Sequence, residues 1–65
     1  MDTNYEILLD HGEVLDEDSE GAFDAYRAVC IRNKFIPLMF DHFLVYDSIM
    51  VDKVIFNKVV VQEEE

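Results

Sequence analysis

The apolar positions of this chain change period along its length. Tyr5, Ile7 and Leu9 alternate with Glu6, Leu8 and Asp10, the two-residue repeat of a strand with one face buried. Asp10-His11-Gly12 is a turn signal in which Gly12 is free to take a positive φ, and Glu13-Val14-Leu15 reads as the short returning strand of an N-terminal hairpin. Beyond the acidic approach Asp16-Glu17-Asp18-Ser19-Glu20 the repeat lengthens. Ala22, Phe23, Tyr26, Val29 and Cys30 share one stripe at helical spacing, with Glu20, Asp24, Arg27 and Lys34 on the other side, which predicts a helix over about 19–34.

The ends of that helix are marked chemically. Asp18 or Ser19 can accept from the free amides of the first turn, and the carboxylates of Glu20 and Asp24 lie toward the positive end of the helix dipole. Arg32 and Lys34 complement its negative end, and Ile36-Pro37 is the expected stop, because a residue before proline is pushed out of the α region. Gly21 disagrees, costing up to about 1 kcal/mol relative to alanine within a helix. It points to a loose first turn or to a group approaching the backbone closely.

After Pro37 the residues are mostly β-branched and aromatic. Residues 42–46 read as one strand and 51–61 as one or two more, with turns at Asp47-Ser48 and Asn57-Lys58. A second helix over 37–44, opened by Pro37, is the competing assignment. Val54-Ile55-Phe56 and Val59-Val60-Val61 are apolar on both faces, as in a strand covered on each side. The pattern therefore predicts an α+β fold: an N-terminal strand or hairpin, one central helix and a C-terminal antiparallel β-hairpin in a single small domain over 1–65, with 62–65 as a frayed acidic tail. One helix covers one face of the sheet. A second copy of the chain is the simplest cover for the other, which predicts a homodimer formed through Val54, Phe56 and Val60.

Size and charge narrow the function. A chain of 65 residues buries only about 60% of its unfolded surface, so its stability margin is thin. Cys30 is the only cysteine and offers no internal disulfide; on the buried stripe it reads as a small hydrophobe in a reducing compartment. A hydrophobic content of 51% is too high for disorder, even at a net charge of −10. Residues 1–26 hold nine acids and no Lys or Arg, residues 27–58 hold five basic residues against three acids, and Glu63, Glu64 and Glu65 follow. The N-terminus carries no signal-peptide pattern, and Asp41, Asp47, Asp52 and Lys53 interrupt the most apolar region before it reaches membrane-spanning length. A cytoplasmic location is the expectation.

No motif carries chemistry through to completion. Asp16-Glu17-Asp18-Ser19-Glu20-Gly21 begins like a calcium loop, but the position that needs a bidentate Glu holds Arg27. The pairs Asp10-His11 and Asp41-His42 lack metal-site spacing, Ser19 and Ser48 lack a nucleophile elbow, and the two glycines form no phosphate cradle. Asp41, between Phe40, His42 and Phe43, is the one acid in an apolar setting. The sequence thus indicates no catalytic residues, no metal and no cofactor. Five basic residues are too few for direct nucleic-acid binding, and the inverse fits better. Glu13, Asp16, Glu17, Asp18, Glu20 and Asp24 present closely spaced negative charge suited to a basic, nucleic-acid-binding protein. The expectation is a non-enzymatic inhibitor or modulator of such a partner, acting as a nucleic-acid mimic and sharing size and charge with small acidic phage inhibitors. The alternative is a small homo-oligomeric or accessory subunit that uses its apolar C-terminal half as an interface.

Overall fold

The computed structural model describes residues 2–61. They form β1 (Asp2–Leu8), β2 (Val14–Asp18), α1 (Ser19–Arg32), α2 (Phe40–Phe43), β3 (Ser48–Val51) and β4 (Val54–Val61). All strand pairings are antiparallel, and the sheet order is β2-β1-β4-β3. The fold is α+β, with the N-terminal hairpin, the main helix and the C-terminal hairpin that the pattern predicts. Residues 62–65, read from the sequence as a tail, lie outside the described residues. Among the described residues no helix is long and apolar enough to cross a membrane.

The first hairpin turns where the sequence places it. Leu9 N–H donates to Glu13 O at 2.8 Å, Gly12 N–H to Leu9 O at 3.0 Å, and Gly12 takes φ 99°. The returning strand runs further than Leu15, so Asp16, Glu17 and Asp18 are strand residues paired with Glu6, Tyr5 and Asn4. Asp18 then changes role: its Oδ1 accepts from Gly21 N–H at 2.7 Å and caps α1. The carboxylate of Glu17 also lies where a Cβ on Gly21 would stand, so the close approach signalled by that glycine is made by the chain's own acids.

The helix stops before Pro37 becomes relevant. Lys34 takes φ 63°, which turns its own N–H onto Ile31 O at 3.1 Å and that of Phe35 onto Cys30 O at 2.8 Å. This pair of bonds closes a helix around a left-handed residue, a place usually held by glycine. The side chain of Asn33 also donates to Val29 O at 2.8 Å. With the last carbonyls satisfied locally, Arg32 is the final helical residue.

The C-terminal half departs from the expected strand over 42–46. Residues 40–43 form the short helix α2, and the amides of Phe43, Leu44 and Val45 donate to Met39, Phe40 and His42 carbonyls at 2.8–3.1 Å. Packing overrides β propensity here, because the helical turn drops Phe43 into the centre of the core. The C-terminal hairpin is consequently shifted: its turn is Asp52-Lys53, with Asp52 at φ 58°, and β4 runs through Asn57-Lys58 without turning.

The core lies between one face of the sheet and the two helices. Tyr5 and Ile7 of β1, Val54 and Phe56 of β4 and Val51 of β3 meet Ala22, Tyr26, Val29 and Cys30 of α1 and Phe43 of α2. Phe43 is fully buried, with ring centroids 5.1 Å from Tyr5, 4.9 Å from Tyr26 and 6.4 Å from Phe56. Tyr26 also ties down the connection between the helices, its hydroxyl accepting from Leu38 N–H at 2.9 Å. Both helices stand on the same side of the sheet. Among the described residues no helix stands on its other face, hereafter the open face.

Two of the residues assigned to self-association are therefore internal. Val54 and Phe56 alternate inward and are buried beneath the helices, so they offer no surface to a second copy. Val60 lies on β4, but its side chain is outside the described residues. The β4 residues that face away from the helices are Ile55, Asn57 and Val59.

Candidate functional site

Strand register decides which acids stand together. Successive side chains of a strand point to opposite faces, and directly paired residues of neighbouring strands share a face. On the open face the pairs are Asp18 with Asn4 and Val59, Asp16 with Glu6 and Asn57, and Val14 with Leu8 and Ile55. Ser48 and Met50 of β3 extend the last two rows. Leu15 and Glu17 alternate to the helix side, where Leu15 continues the row of Ile7 and Phe56.

The acids proposed from the sequence are thus divided among three places. Asp16 and Asp18 lie on the open sheet face. Glu20 and Asp24 lie one turn apart on the exposed side of α1, rimming a hollow of about 360 Å³ whose other walls are Phe23 and Phe40. Glu17, on the helix side, reaches toward the start of α1, and Glu13 sits at the hairpin turn, where it accepts from His11 Nε2 at 3.1 Å. All six are exposed. The structure does not gather them into one site, but it brings Asp16 and Asp18 together with two residues that the sequence reading passed over, Glu6 and Asn4.

Asn4, Glu6, Asp16, Asp18 and Val59 of the open face, with Tyr5 and Glu17 of the helix side, line a hollow of about 440 Å³. Glu6 and Asp16 are direct cross-strand partners, and like charges placed so are mutually destabilising. Nothing cationic relieves them. The nearest lysine along the sheet, Lys58, faces the helix side, and its Nζ donates to Leu44 O. Among the described residues no Lys or Arg forms an ion pair with any carboxylate, and His11 with Glu13 is the one pairing of that kind. Nor do three His, Cys, Asp or Glu side chains converge as metal ligands among the described residues. Glu6, Asp16 and Asp18 thus concentrate negative charge on this face.

Three titratable side chains, Tyr5, Tyr26 and Cys30, belong to the core. Burial, helped by the charge of Asp47, pushes the Tyr5 phenol above its ordinary pKa, and its hydroxyl has no hydrogen-bond partner. Burial raises Tyr26 as well, with the Leu38 N–H pulling the other way. Cys30 is buried and free. The chain matches no family model, no curated protein and no solved structure.

Proposed function

We propose that the chain is a non-enzymatic binding protein whose acidic surface engages, and thereby inhibits or modulates, a basic protein that itself binds nucleic acid. The observation that carries this reading is the unrelieved pairing of Glu6 with Asp16 beside Asp18, on a surface with no Lys or Arg. Like charges held side by side cost folding stability, and a cationic partner recovers that cost on binding. A row of Lys and Arg shaped to meet phosphates is the complementary surface. Association driven this way is accelerated by charge and weakened by salt.

Exposed apolar groups favour the second reading, an accessory or self-associating subunit. Ile36 is 95% exposed and Met39 74% exposed in the connection before α2, where neither contributes to the core. Capture separates the two readings. The full chain is immobilised, exposed to nuclease-treated lysate, eluted with rising salt and compared with a variant carrying Asp16→Asn, Glu17→Gln, Asp18→Asn, Glu20→Gln and Asp24→Asn. Asn caps a helix as well as Asp, so the variant retains its N-cap. The acidic reading predicts a basic nucleic-acid-binding protein on the native chain, displaced by added DNA or RNA and absent from the variant. A partner that stays on the variant and resists salt moves the interface to the apolar surface.

A further inference from the structure

The open sheet face is two-sided in character. Val14, Leu8, Ile55 and Met50 form an apolar row that crosses all four strands, and Asp16, Glu6, Asn57 and Ser48 form the polar row beside it. At about 4.8 Å between strands the row is roughly 14 Å long, and the two rows lie about 6.6 Å apart, close to the 5–6 Å radius of a helix with its side chains. Val14 is 52% exposed and Met50 67% exposed at the two ends of the apolar row, and Leu8 and Ile55 between them are half-buried. The hollow beside Glu6, Asp16 and Asp18 adjoins it.

We propose that this face docks an amphipathic cationic helix of the partner, its apolar stripe on the Val14-Leu8-Ile55-Met50 row and a flanking Lys or Arg in the hollow beside Glu6, Asp16 and Asp18. The inference rests on the reading of a basic partner and adds which face meets it and with what chemistry. Charge complementarity selects the occupant. A second copy would bring no Lys or Arg on the same face to answer Glu6, Asp16 and Asp18. A purely cationic segment would leave the apolar row wet, and a purely apolar one would bury carboxylates unpaired. Only a segment carrying both chemistries, about one helix radius apart, matches the two rows.

The test uses the full isotope-labelled chain and three synthetic peptides: an amphipathic helix of Leu and Lys, a scrambled peptide of the same composition, and a Leu and Glu counterpart. The amphipathic cationic peptide is expected to shift the amides of β1, β2 and β4 around Glu6, Leu8, Asp16 and Ile55, and the other two to bind at least tenfold more weakly. The decisive variant is Val14→Asp with Met50→Asp, two exposed edge-strand positions where the fold tolerates a polar side chain. Docking predicts binding weakened about tenfold or more, although the variant carries more negative charge. Equal or tighter binding by that variant, equal binding of the scrambled peptide, or shifts confined to Glu20 and Asp24 would each overturn the docking face while leaving a basic partner in place. Absence of binding by every cationic peptide also overturns it. Failure of the basic-partner reading is read separately, in a captured partner that stays on the five-amide variant.

Discussion

Phe43 of the short helix α2 stacks on Tyr5 of β1, with ring centroids 5.1 Å apart and planes 25° from parallel. A four-residue helix has no stability of its own, so this contact and those to Tyr26 and Phe56 hold α2 and the flanking connections in place. Truncation of such a ring costs about 3–5 kcal/mol, a large part of what a domain this small possesses. Phe43→Ala is expected to unfold the protein or lower its urea midpoint severely, whereas Phe43→Leu should leave a cooperative transition. A Phe43→Ala variant with the native midpoint would show that α2 is not part of the core.

The two buried tyrosines should respond oppositely to loss of their hydroxyls. Tyr26 accepts from Leu38 N–H, so Tyr26→Phe orphans an amide and should cost about 1 kcal/mol. The Tyr5 hydroxyl is buried and unpartnered, so Tyr5→Phe should be neutral or stabilising. Chemical denaturation of the two variants checks the contrast.

Alkaline pH should also destabilise the fold through these phenols. Their pKa values are raised above the ordinary 10.0, for both chiefly by burial, so the folded state prefers them neutral. The stability this preference contributes is intact below about pH 10 and is lost as pH rises through the raised folded values. In a Tyr46→Phe background, which removes the exposed tyrosine, tyrosinate absorbance should therefore rise together with unfolding, and Tyr5→Phe should move that transition to higher pH. Tyrosinate formation that precedes any loss of structure would contradict this coupling.

Much of the fold was legible because its signals are local. Alternation at Tyr5, Ile7 and Leu9 marks β1, Gly12 marks its turn, and the stripe from Ala22 to Cys30 marks α1. The strand expected over 42–46 failed because Phe43, Leu44, Val45 and Tyr46 are β-type residues whose conformation is decided by a distant demand, the place of the Phe43 ring among Tyr5, Tyr26 and Phe56. The site was legible only in part. Acidity at Asp16 and Asp18 was visible, but their alliance with Glu6 depends on cross-strand register, and reading 16–18 as an approach to the helix concealed that they are strand residues. Val54 and Phe56 are assigned to self-association from the sequence because an apolar run cannot show which of its members faces the helices.

Binding and stability should oppose each other at the acidic face. Glu6→Gln or Asp16→Asn removes a like-charge cross-strand pair and should stabilise the protein by about 0.2–1 kcal/mol. The same change should weaken binding of a cationic ligand. Added salt should raise the melting temperature of the native chain and raise that of either variant less, because screening relieves what the substitution has already removed. Thermal melts over a salt series check both statements.

The left-handed residue that ends α1 offers an independent check of the backbone. Lys34 holds φ 63°, where a Cβ is unfavourable and glycine is at ease. Lys34→Gly should stabilise the protein by roughly 0.5–1 kcal/mol, and Lys34→Val should destabilise it by more. Equal stabilities for the two would mean that the helix does not close in this way.

The most direct measurement of the central claim is the affinity of the captured basic partner for the native chain and for the five-amide variant, taken over rising salt with DNA as competitor. Binding through the acidic surface predicts at least about a tenfold loss for the variant, affinity of the native chain that falls steadily with salt, and displacement by DNA. Equal affinities that neither salt nor DNA disturbs would contradict it and place the interface on the exposed apolar groups instead.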